Sequence, residues 1–468
     1  MLVIKLKDNS YQVKEFQVLR NTEEVVTFQS LDETEQLLIR KALNSISNIS
    51  LPELEKQGVI IFPSKAAESE LNDKERTVLS VQNLEGDTPT ITTKNVMGFF
   101  SVNGVQFEIR SRFDSGEKQF FLHYMLSKVC NVAPTIELTH ANKDPLYDFA
   151  VYLFPAFLKK AVSQGLFRMY ITREYNDSNL RGVIDFPRHF RNNIPFNGKI
   201  AYRTREYSSD NFVTQLVRHT IEFIAENSNL RKILSLDDET RGAVQEICGN
   251  TGSYDRLSRN FIINKNLRPL SHPYYTEYEQ LRKLCIMILT HDKISYGESQ
   301  QNRINGILFD GASLWEEYLW TILQNQGFKH PKNKERSEGI RMFENNDDEN
   351  FDKNYRKIYP DFYKPKDNND GWILDAKYKH LENGAGREDL YQVVTYMHTM
   401  EIGKGGFIYP LKQGENNLCE NKTTLQLAGL GGTISILGLP IPQECESFSK
   451  FAEQMKVQEE NLLKSAHN

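Results

Sequence analysis

The first part of the chain alternates between hydrophobic and polar residues. Residues 3–7 and 105–110 both show this alternation, which is typical of β-strands with one buried and one solvated face. Asn103 and Gly104 stand between two apolar runs, and this pair favours a two-residue hairpin turn because both positions accept positive φ. We therefore predict a β-rich N-terminal domain over residues 1–116.

The hydrophobic period changes to about 3.6 residues in the middle of the chain. Apolar residues recur three and four positions apart over residues 147–161, 211–224 and 278–289, which predicts amphipathic helices. We therefore predict a mainly helical middle domain over residues 117–302.

Helical and strand-like patterns alternate in the last third of the chain. Helices are predicted over residues 313–326 and 387–400, with short apolar strands between and after them. This order is typical of an α/β unit. The predicted fold class is a multi-domain α/β protein, whose third domain spans residues 303–468.

Arginines concentrate in one polar stretch of the middle domain. Aromatic residues are interleaved with them, so one hypothesis is that the stretch holds a nucleic-acid backbone. The alternative, with equal weight, is a solvated face or a subunit-contact surface. The arginines are Arg173, Arg181, Arg188, Arg191, Arg203 and Arg205.

Composition limits the classes of protein that fit these patterns. A chain of 468 residues is long enough for two or three domains. Hydrophobic residues make up 39% and charged residues 25%, which excludes collagen, coiled-coil rods and low-complexity chains. Lys and Arg number 57 against 62 Asp and Glu, a net charge of −5, so any contact with DNA must come from a local patch.

Cysteine usage and hydropathy indicate the compartment. The five cysteines are scattered and form no zinc-type pattern, so we expect reduced thiols in a cytoplasmic protein without a secretory signal. Residues 423–443 are uncharged, but glycines and prolines interrupt them, and we predict strands there and no membrane segment.

Candidate chemistry lies in two short strands of the last domain. Asp375 and Lys377 are two residues apart in a strand and therefore point to the same face. If Asp361 lies on the adjacent strand, the two carboxylates can share a hard cation such as Mg²⁺. The carbonyl of Ala376 could supply a further metal ligand.

This combination is what phosphodiester hydrolysis requires. A metal polarises the phosphoryl oxygen and activates water, while a cation such as Lys377 lies near the attacking water or the developing charge. Glu316, on a predicted helix, offers a third carboxylate. Gln392 and Tyr396 are four residues apart, hence on one helical face that could point at the same site.

Together these residues resemble the PD-(D/E)XK nuclease superfamily, in the branch with an additional QxxxY helix. Each piece alone is weak, but all of them occur in the expected order within the last third of the chain. The motif residues are Pro360 and Asp361, then Asp375 and Lys377, then Gln392 and Tyr396.

Within that superfamily the whole chain resembles the McrC family, the nuclease subunits of McrBC-type (5-methylcytosine-specific) restriction systems. The resemblance rests on the strand pattern at residues 107–114, the Leu-Arg-Gly-Val-Ile-Asp element at residues 180–185 and the C-terminal motifs. It covers most of the chain and is motif-specific in the last third.

The resemblance implies a role for each motif residue. Asp361 and Asp375 would be metal ligands, and Lys377 would position the water. Glu316 matches the helix glutamate of the family, with Glu317 as its competitor. Gln392 and Tyr396 would position the site or hold the phosphate.

The resemblance also implies partners and an activity. The chain would be a Mg²⁺-dependent endodeoxyribonuclease that cuts double-stranded DNA in defence against phage and other foreign DNA. It would work with a McrB-like AAA+ ring and stimulate its GTPase, and residues 1–116 would contact that ring. GTP would be bound by the partner, since this chain contains no G-x-x-x-x-G-K-[ST] motif.

Two alternatives stay open at the level of sequence. One is a stand-alone repair or recombination nuclease, which would cut without a partner. The other is a non-catalytic activator of an AAA+ ring. We predict that all ten histidines are structural or on the surface.

Overall fold

The structure is a computed structural model of the full chain. It describes the following residues: 2–20, 24–63, 77–83, 88–114, 118–131, 145–227, 230–295, 304–331, 339–343, 357–365, 371–381, 383–412, 422–429 and 431–467. They form two compact units, Met1–Leu146 with Ser299–Asn468, and Tyr147–Glu298. The division into three domains stays a prediction.

The strands and helices are numbered in chain order. The strands are β1 (Leu2–Lys7), β2 (Gln17–Arg20), β3 (Glu24–Thr27), β4 (Ile60–Phe62), β5 (Leu79–Gln82), β6 (Thr90–Thr93), β7 (Val96–Val102), β8 (Val105–Arg110), β9 (Met169–Asp177), β10 (Val183–Ile184), β11 (Ile200–Ser208), β12 (Asn305–Asp310), β13 (Ile340–Arg341), β14 (Lys357–Ile358), β15 (Phe362–Lys364), β16 (Trp372–Ala376), β17 (Lys404–Lys412), β18 (Lys422–Gln426) and β19 (Thr433–Ile441). The helices are α1 (Glu33–Ile46), α2 (Leu51–Gln57), α3 (Phe120–Val129), α4 (Pro145–Ser163), α5 (Phe186–Asn192), α6 (Phe212–Glu226), α7 (Asp238–Asn250), α8 (Arg259–Lys265), α9 (Glu277–Ser295), α10 (Gly311–Leu323), α11 (Arg387–Thr399) and α12 (Phe448–His467).

A seven-stranded mixed sheet organises the N-terminal part of the first unit. Its order is β3-β2-β1-β8-β7-β12-β4, and α1 packs its buried face of Ile39, Ala42, Leu43 and Ile46 into the same core. The predicted hairpin is present between β7 and β8, with Asn103 and Gly104 both at positive φ. The predicted β-rich character of this region is therefore confirmed.

One strand of this sheet comes from far along the chain. Strand β12 lies between β7 and β4, antiparallel to the first and parallel to the second. It belongs to the segment that the sequence grouped with the last domain. A fragment ending at residue 116 would therefore lack an internal strand of its own sheet.

A five-stranded sheet carries the C-terminal part of the same unit. Its order is β15-β16-β17-β19-β18, with parallel pairing in the centre and antiparallel pairing at both edges. Helix α11 packs Val393 and Met397 into the core of this sheet, and α10 joins it through the Trp315 indole, which donates to the carbonyl of Ile408 at 3.3 Å. The predicted α/β character of the last third is confirmed.

Glu459 of α12 connects three helices of this unit. Its buried carboxylate accepts hydrogen bonds from the hydroxyls of Tyr124 at 2.9 Å and Tyr318 at 2.8 Å, and it pairs with Lys128 at 2.8 Å. Tyr124 and Lys128 lie on α3, and Tyr318 lies on α10. One carboxylate thus fixes α10, the helix that also carries Glu316.

Replacing Glu459 by alanine is expected to lower the free energy of unfolding by roughly 3 kcal/mol, because two buried hydroxyls and an ammonium lose their acceptor. Urea unfolding followed by circular dichroism measures this. The neighbouring exposed Glu460 provides the matched control, and Glu460→Ala should change the free energy by less than about 0.5 kcal/mol. Equal stability of the two variants would contradict the assigned role of Glu459.

The second unit contains more than the predicted helices. Helices α4, α6 and α9 cover the three stretches with helical periodicity, but a three-stranded antiparallel sheet of order β10-β11-β9 accompanies them. Strands β9 and β11 are only partly buried along most of their length. The mainly helical description is therefore incomplete.

The arginine-rich stretch belongs to this small sheet and to α5. Three of its six arginines pair with carboxylates: Arg188 lies 2.6 Å from Glu174, and Arg203 lies 2.6 Å from Asp185. Arg173 lies 3.6 Å from Glu206. This pairing weakens the hypothesis of a phosphate-binding stretch and favours a solvated or contact surface.

Within the described residues, no helix combines the length and apolar character needed to cross a bilayer.

Candidate active site

The predicted site residues gather at the β15–β16 edge of the five-stranded sheet. Phe362 pairs with Leu374 in antiparallel register, so one step further along Asp361 stands opposite Asp375. Asp375 is 1% exposed, and Asp361 is half-buried. A carboxylate oxygen of Asp361 accepts a hydrogen bond from the backbone amide of Ala376 at 2.7 Å.

Lys377 lies on the same side as Asp375. Its ammonium is 2.6 Å from Asp375 Oδ2 and donates to Gln392 Oε1 at 3.3 Å. Gln392 in turn donates to the hydroxyl of Tyr396 at 2.8 Å. The strand motif and the helix motif therefore meet in one connected polar network.

Asp389 is a member of this network that the sequence analysis missed. It lies 3.4 Å from the Lys377 ammonium and also pairs with Lys379. A signal was present in the sequence, because Asp389 precedes Gln392 by three residues and so shares its helical face. Lys377 is thus held between two carboxylates.

The helix carboxylate that faces the site is Glu316. Its charge acts on Asp361, whose pKa it raises, and its Oε1 lies 3.6 Å from His330 Nε2. Glu316 therefore lies near enough to Asp361 for its charge to act on that carboxyl. The choice of Glu316 over Glu317 stays a prediction.

Electrostatics at the site favour a bound cation. Burial, followed by the charges of Asp375 and Glu316, raises the pKa of Asp361 well above its usual range. Burial likewise raises the pKa of Asp375, although Lys377 opposes the shift. Carboxyls whose ionised form is costly gain most from a divalent cation that neutralises them.

Lys377 keeps its positive charge at the site. Burial alone would lower the pKa of Lys377, but the charges of Asp375, Asp361 and Asp389 outweigh it, so that the pKa is raised. For Asp389, burial would raise the pKa, but the hydrogen bonds and positive charges of Lys379 and Lys377 together outweigh burial, and the pKa is lowered. Lys377 therefore remains an ammonium at neutral pH.

The donor set fits Mg²⁺ better than a transition metal. No group of three or more His, Cys, Asp or Glu side chains in the described part of the chain is arranged to hold a metal. Mg²⁺ commonly takes only one or two protein carboxylates and keeps several waters. Asp361 and Asp375 supply two carboxylates, and Asp375 Oδ2 is paired with the Lys377 ammonium at 2.6 Å. The Ala376 carbonyl stays a predicted ligand.

The N-terminal sheet holds the chain immediately after Lys377. Arg112 follows β8 and donates a hydrogen bond to the backbone carbonyl of Tyr378. Its guanidinium also bonds Asp8 at 2.8 Å and Asn95 at 2.9 Å. The Tyr378 hydroxyl contacts Ser111 Oγ at 2.8 Å. Sequence reasoning missed this anchor, since nothing in the sequence pairs residues so far apart.

A glycine makes this close approach possible. Gly311, at the start of α10, lies so near the Tyr378 ring that an added Cβ would stand 2.7 Å from a ring carbon. Asp310 caps the same helix end by accepting from the amides of Ala312 and Ser313. The helix that carries Glu316 is thus placed against the segment that carries Lys377.

The fold and this site define a multi-domain α/β protein with an acidic, lysine-containing centre at a sheet edge. Residues 91–410 match the family model of the McrBC 5-methylcytosine restriction system component. Because the match covers well over half of the chain, the protein belongs to this family. A comparison with curated proteins gave no match.

The solved structures that resemble the chain include two from Thermococcus gammatolerans. One is a refined half-complex from a tetradecameric assembly of Thermococcus gammatolerans McrB AAA+ hexamers with bound McrC. Its sequence identity to this chain is 14%, the alignment covers 98% of this chain and 100% of that chain, and the TM-score is 0.51. The other is the cryo-EM structure of the Thermococcus gammatolerans McrBC complex, with 16% identity, 69% and 87% covered, and a TM-score of 0.32. The first likeness is one of fold, and the second is too distant to support an argument.

Proposed function

We propose that this protein is the Mg²⁺-dependent DNA endonuclease subunit of a McrBC-type restriction complex. The observation that carries the proposal is the Asp361–Asp375 pair with Lys377 beside it, in a chain of the restriction-system family. The reaction is hydrolysis of a phosphodiester in double-stranded DNA, in defence against foreign DNA.

Asp361 and Asp375 would hold the cation. When bound, Mg²⁺ would polarise a phosphoryl oxygen and make a water more acidic. The protein itself fixes both carboxylates before substrate arrives: the amide of Ala376 orients Asp361, and Lys377 orients Asp375. Such preorganisation lowers the cost of reorganisation during reaction.

Lys377 would supply a fixed positive charge for the developing charge on the phosphoryl oxygens. Asp375 and Asp389 hold its ammonium from two sides. Gln392 accepts from it and donates to Tyr396, so these two residues would set the position of the lysine and line the phosphate path.

We further propose that a McrB-like AAA+ ring is the partner, which binds and hydrolyses GTP. The fold likeness is to a structure described as McrB AAA+ hexamers with bound McrC. The absence of a nucleotide-binding P-loop motif in this chain agrees with GTP hydrolysis by a separate subunit. In this arrangement the present chain would stimulate the GTPase of the ring.

An exposed apolar surface offers a site for that partner. It lies in the second unit and runs from the residues just before β10, through β10 and α5, to the segment that follows. Large contiguous apolar patches on soluble proteins usually mark interaction sites. The surface consists of Leu180, Val183, Phe186, Phe190, Ile194 and Phe196, which are 42% to 78% exposed.

Replacing Phe186 and Phe190 together by serine is expected to weaken binding to the ring roughly 1000-fold, because each phenylalanine buried on binding contributes about 2 kcal/mol. Surface plasmon resonance with the full-length chain measures the affinity. Tyr11 and Val25 are exposed in the N-terminal region that the sequence predicts as the contact. A loss of binding only for the Tyr11→Ser, Val25→Ser variant would instead place the contact there.

The proposed function is tested by plasmid cleavage with the purified chain, its AAA+ partner, Mg²⁺ and GTP. Cleavage that requires the partner, Mg²⁺ and GTP supports the proposal. Cleavage by the chain alone would favour a stand-alone nuclease. Stimulated GTP hydrolysis with no cleavage under any metal would favour the non-catalytic activator.

A further inference from the structure

We propose that His330 is a positioning residue of the nuclease site, which holds the main chain of Asp361 and separates it from the helix carboxylate Glu316. The inference deepens the proposed function and rests on it. It also revises the expectation that all ten histidines are merely structural or on the surface.

The segment that carries His330 is fixed against the edge strand β15. Lys329 and Tyr363 exchange backbone hydrogen bonds of 2.7 and 2.9 Å in an antiparallel bridge. This bridge extends the sheet by one short segment beyond β15. Its antiparallel register places His330 opposite Phe362, the residue that follows Asp361.

The imidazole uses this placement to bind the main chain of Asp361. His330 Nδ1 lies 2.6 Å from the Asp361 carbonyl oxygen. Since a carbonyl can only accept, Nδ1 must carry the proton and donate it. Asp361 is then fixed twice, through its carboxylate by the amide of Ala376 and through its carbonyl by His330.

The second ring nitrogen faces the helix. His330 Nε2 lies 3.6 Å from Glu316 Oε1, so the two atoms face each other slightly beyond hydrogen-bond distance. The side chain is 4% exposed and packs against Trp320 and Phe362, with ring centroids 5.5 and 5.1 Å away. The ring therefore fills the space between the helix acid and the strand acid in one orientation.

Residues that orient metal-binding side chains commonly contribute about 10-fold or more to metal affinity. Two substitutions separate the hydrogen bond from the packing. His330→Asn keeps a donor at the position of Nδ1 but loses most of the ring. His330→Phe keeps the ring between Trp320 and Phe362 but cannot donate.

The test is Mg²⁺ binding by the full chain, measured by isothermal titration calorimetry and by the Mg²⁺-dependent rise in melting temperature, followed by cleavage assays. We expect His330→Phe to bind Mg²⁺ about 10-fold more weakly than wild type, and His330→Asn to stay within about 3-fold. Cleavage should follow the same order and be recovered in His330→Phe by raising Mg²⁺.

Three results would overturn the inference or its basis. Wild-type affinity in His330→Phe would reduce His330 to a packing residue. Equal losses in both variants would remove the role of the Nδ1 hydrogen bond. Asp375→Asn serves as the reference for the site itself. If Asp375→Asn binds Mg²⁺ as wild type does, the proposed metal site is wrong, and so is the inference. If Asp375→Asn loses Mg²⁺ binding while His330→Phe binds Mg²⁺ normally, only the inference about His330 is wrong.

Discussion

Asp375→Asn is expected to reduce partner-dependent DNA cleavage roughly 1000-fold or more, because it removes one of the two carboxylates proposed to hold the cation. Asparagine keeps the shape of the side chain in a position that is 1% exposed. Mg²⁺ should also no longer raise the melting temperature, since binding to the native state is the source of that stabilisation.

The fold should survive this substitution. Burial raises the pKa of Asp375, which means that the ionised form is costly in the native state without a cation. A neutral amide removes that cost, so the melting temperature without Mg²⁺ should not fall. Asp238, whose side chain is 93% exposed in the second unit, is the control acid. If Asp375→Asn cleaves as well as Asp238→Asn, Asp375 is not part of the catalytic site.

Lys377→Met is expected to reduce cleavage about 100-fold or more while leaving Mg²⁺ binding unchanged or tighter. Methionine keeps much of the length of the stem and removes only the ammonium. That ammonium lies 2.6 Å from Asp375 Oδ2, where it would compete with the proposed cation for the same carboxylate. If Lys377→Met loses cleavage but keeps Mg²⁺ binding, whereas Asp375→Asn loses both, the roles of the two residues are distinguished.

Lys379→Met is the matched control for this prediction. Lys379 pairs with Asp389, as Lys377 does, but its side chain is 43% exposed and forms no ion pair with Asp375. We expect cleavage to fall by less than about 10-fold in Lys379→Met. Similar losses of cleavage in both variants would assign the effect to general positive charge at the site. Weaker Mg²⁺ binding in Lys377→Met would argue against competition between the Lys377 ammonium and the cation.

Local signals in the sequence were sufficient for many elements. Asn103 and Gly104 predict their hairpin because the turn needs positive φ at both residues, and both have it. Helical periodicity over residues 387–400 corresponds to α11 at Arg387–Thr399, and residues 211–224 correspond to α6 at Phe212–Glu226. These features depend on neighbours within about one turn of the chain.

Other strands, or their pairing, were not predicted because their local sequence signal was weak. Strands β9 and β11 lie in a small sheet with both faces largely solvated, so they show no clean apolar alternation. Strand β12 is largely apolar, but its partners β7 and β4 lie between about 200 and 250 residues earlier in the chain. Strand pairing at that distance is not encoded in any local pattern.

The candidate site likewise has features that local spacing predicts and a connection that the structure shows. The period of two in a strand places Asp375 and Lys377 on one side, and the spacing of four in a helix places Gln392 and Tyr396 together. The structure joins the two pairs through the Lys377–Gln392 hydrogen bond. The functional roles of these residues stay predictions until the variants above are measured.

Local periodicity was enough to predict the α/β character of the last third, the relative facing of the motif residues within each strand or helix, and the order of the motifs. Three features became visible only in the folded chain: β12 completes the N-terminal sheet, Arg112 holds the carbonyl of Tyr378, and His330 and Asp389 join the site. These contacts arise where distant segments pack against each other, and packing follows from the burial and hydrogen bonding of the whole unit rather than from any short stretch of residues.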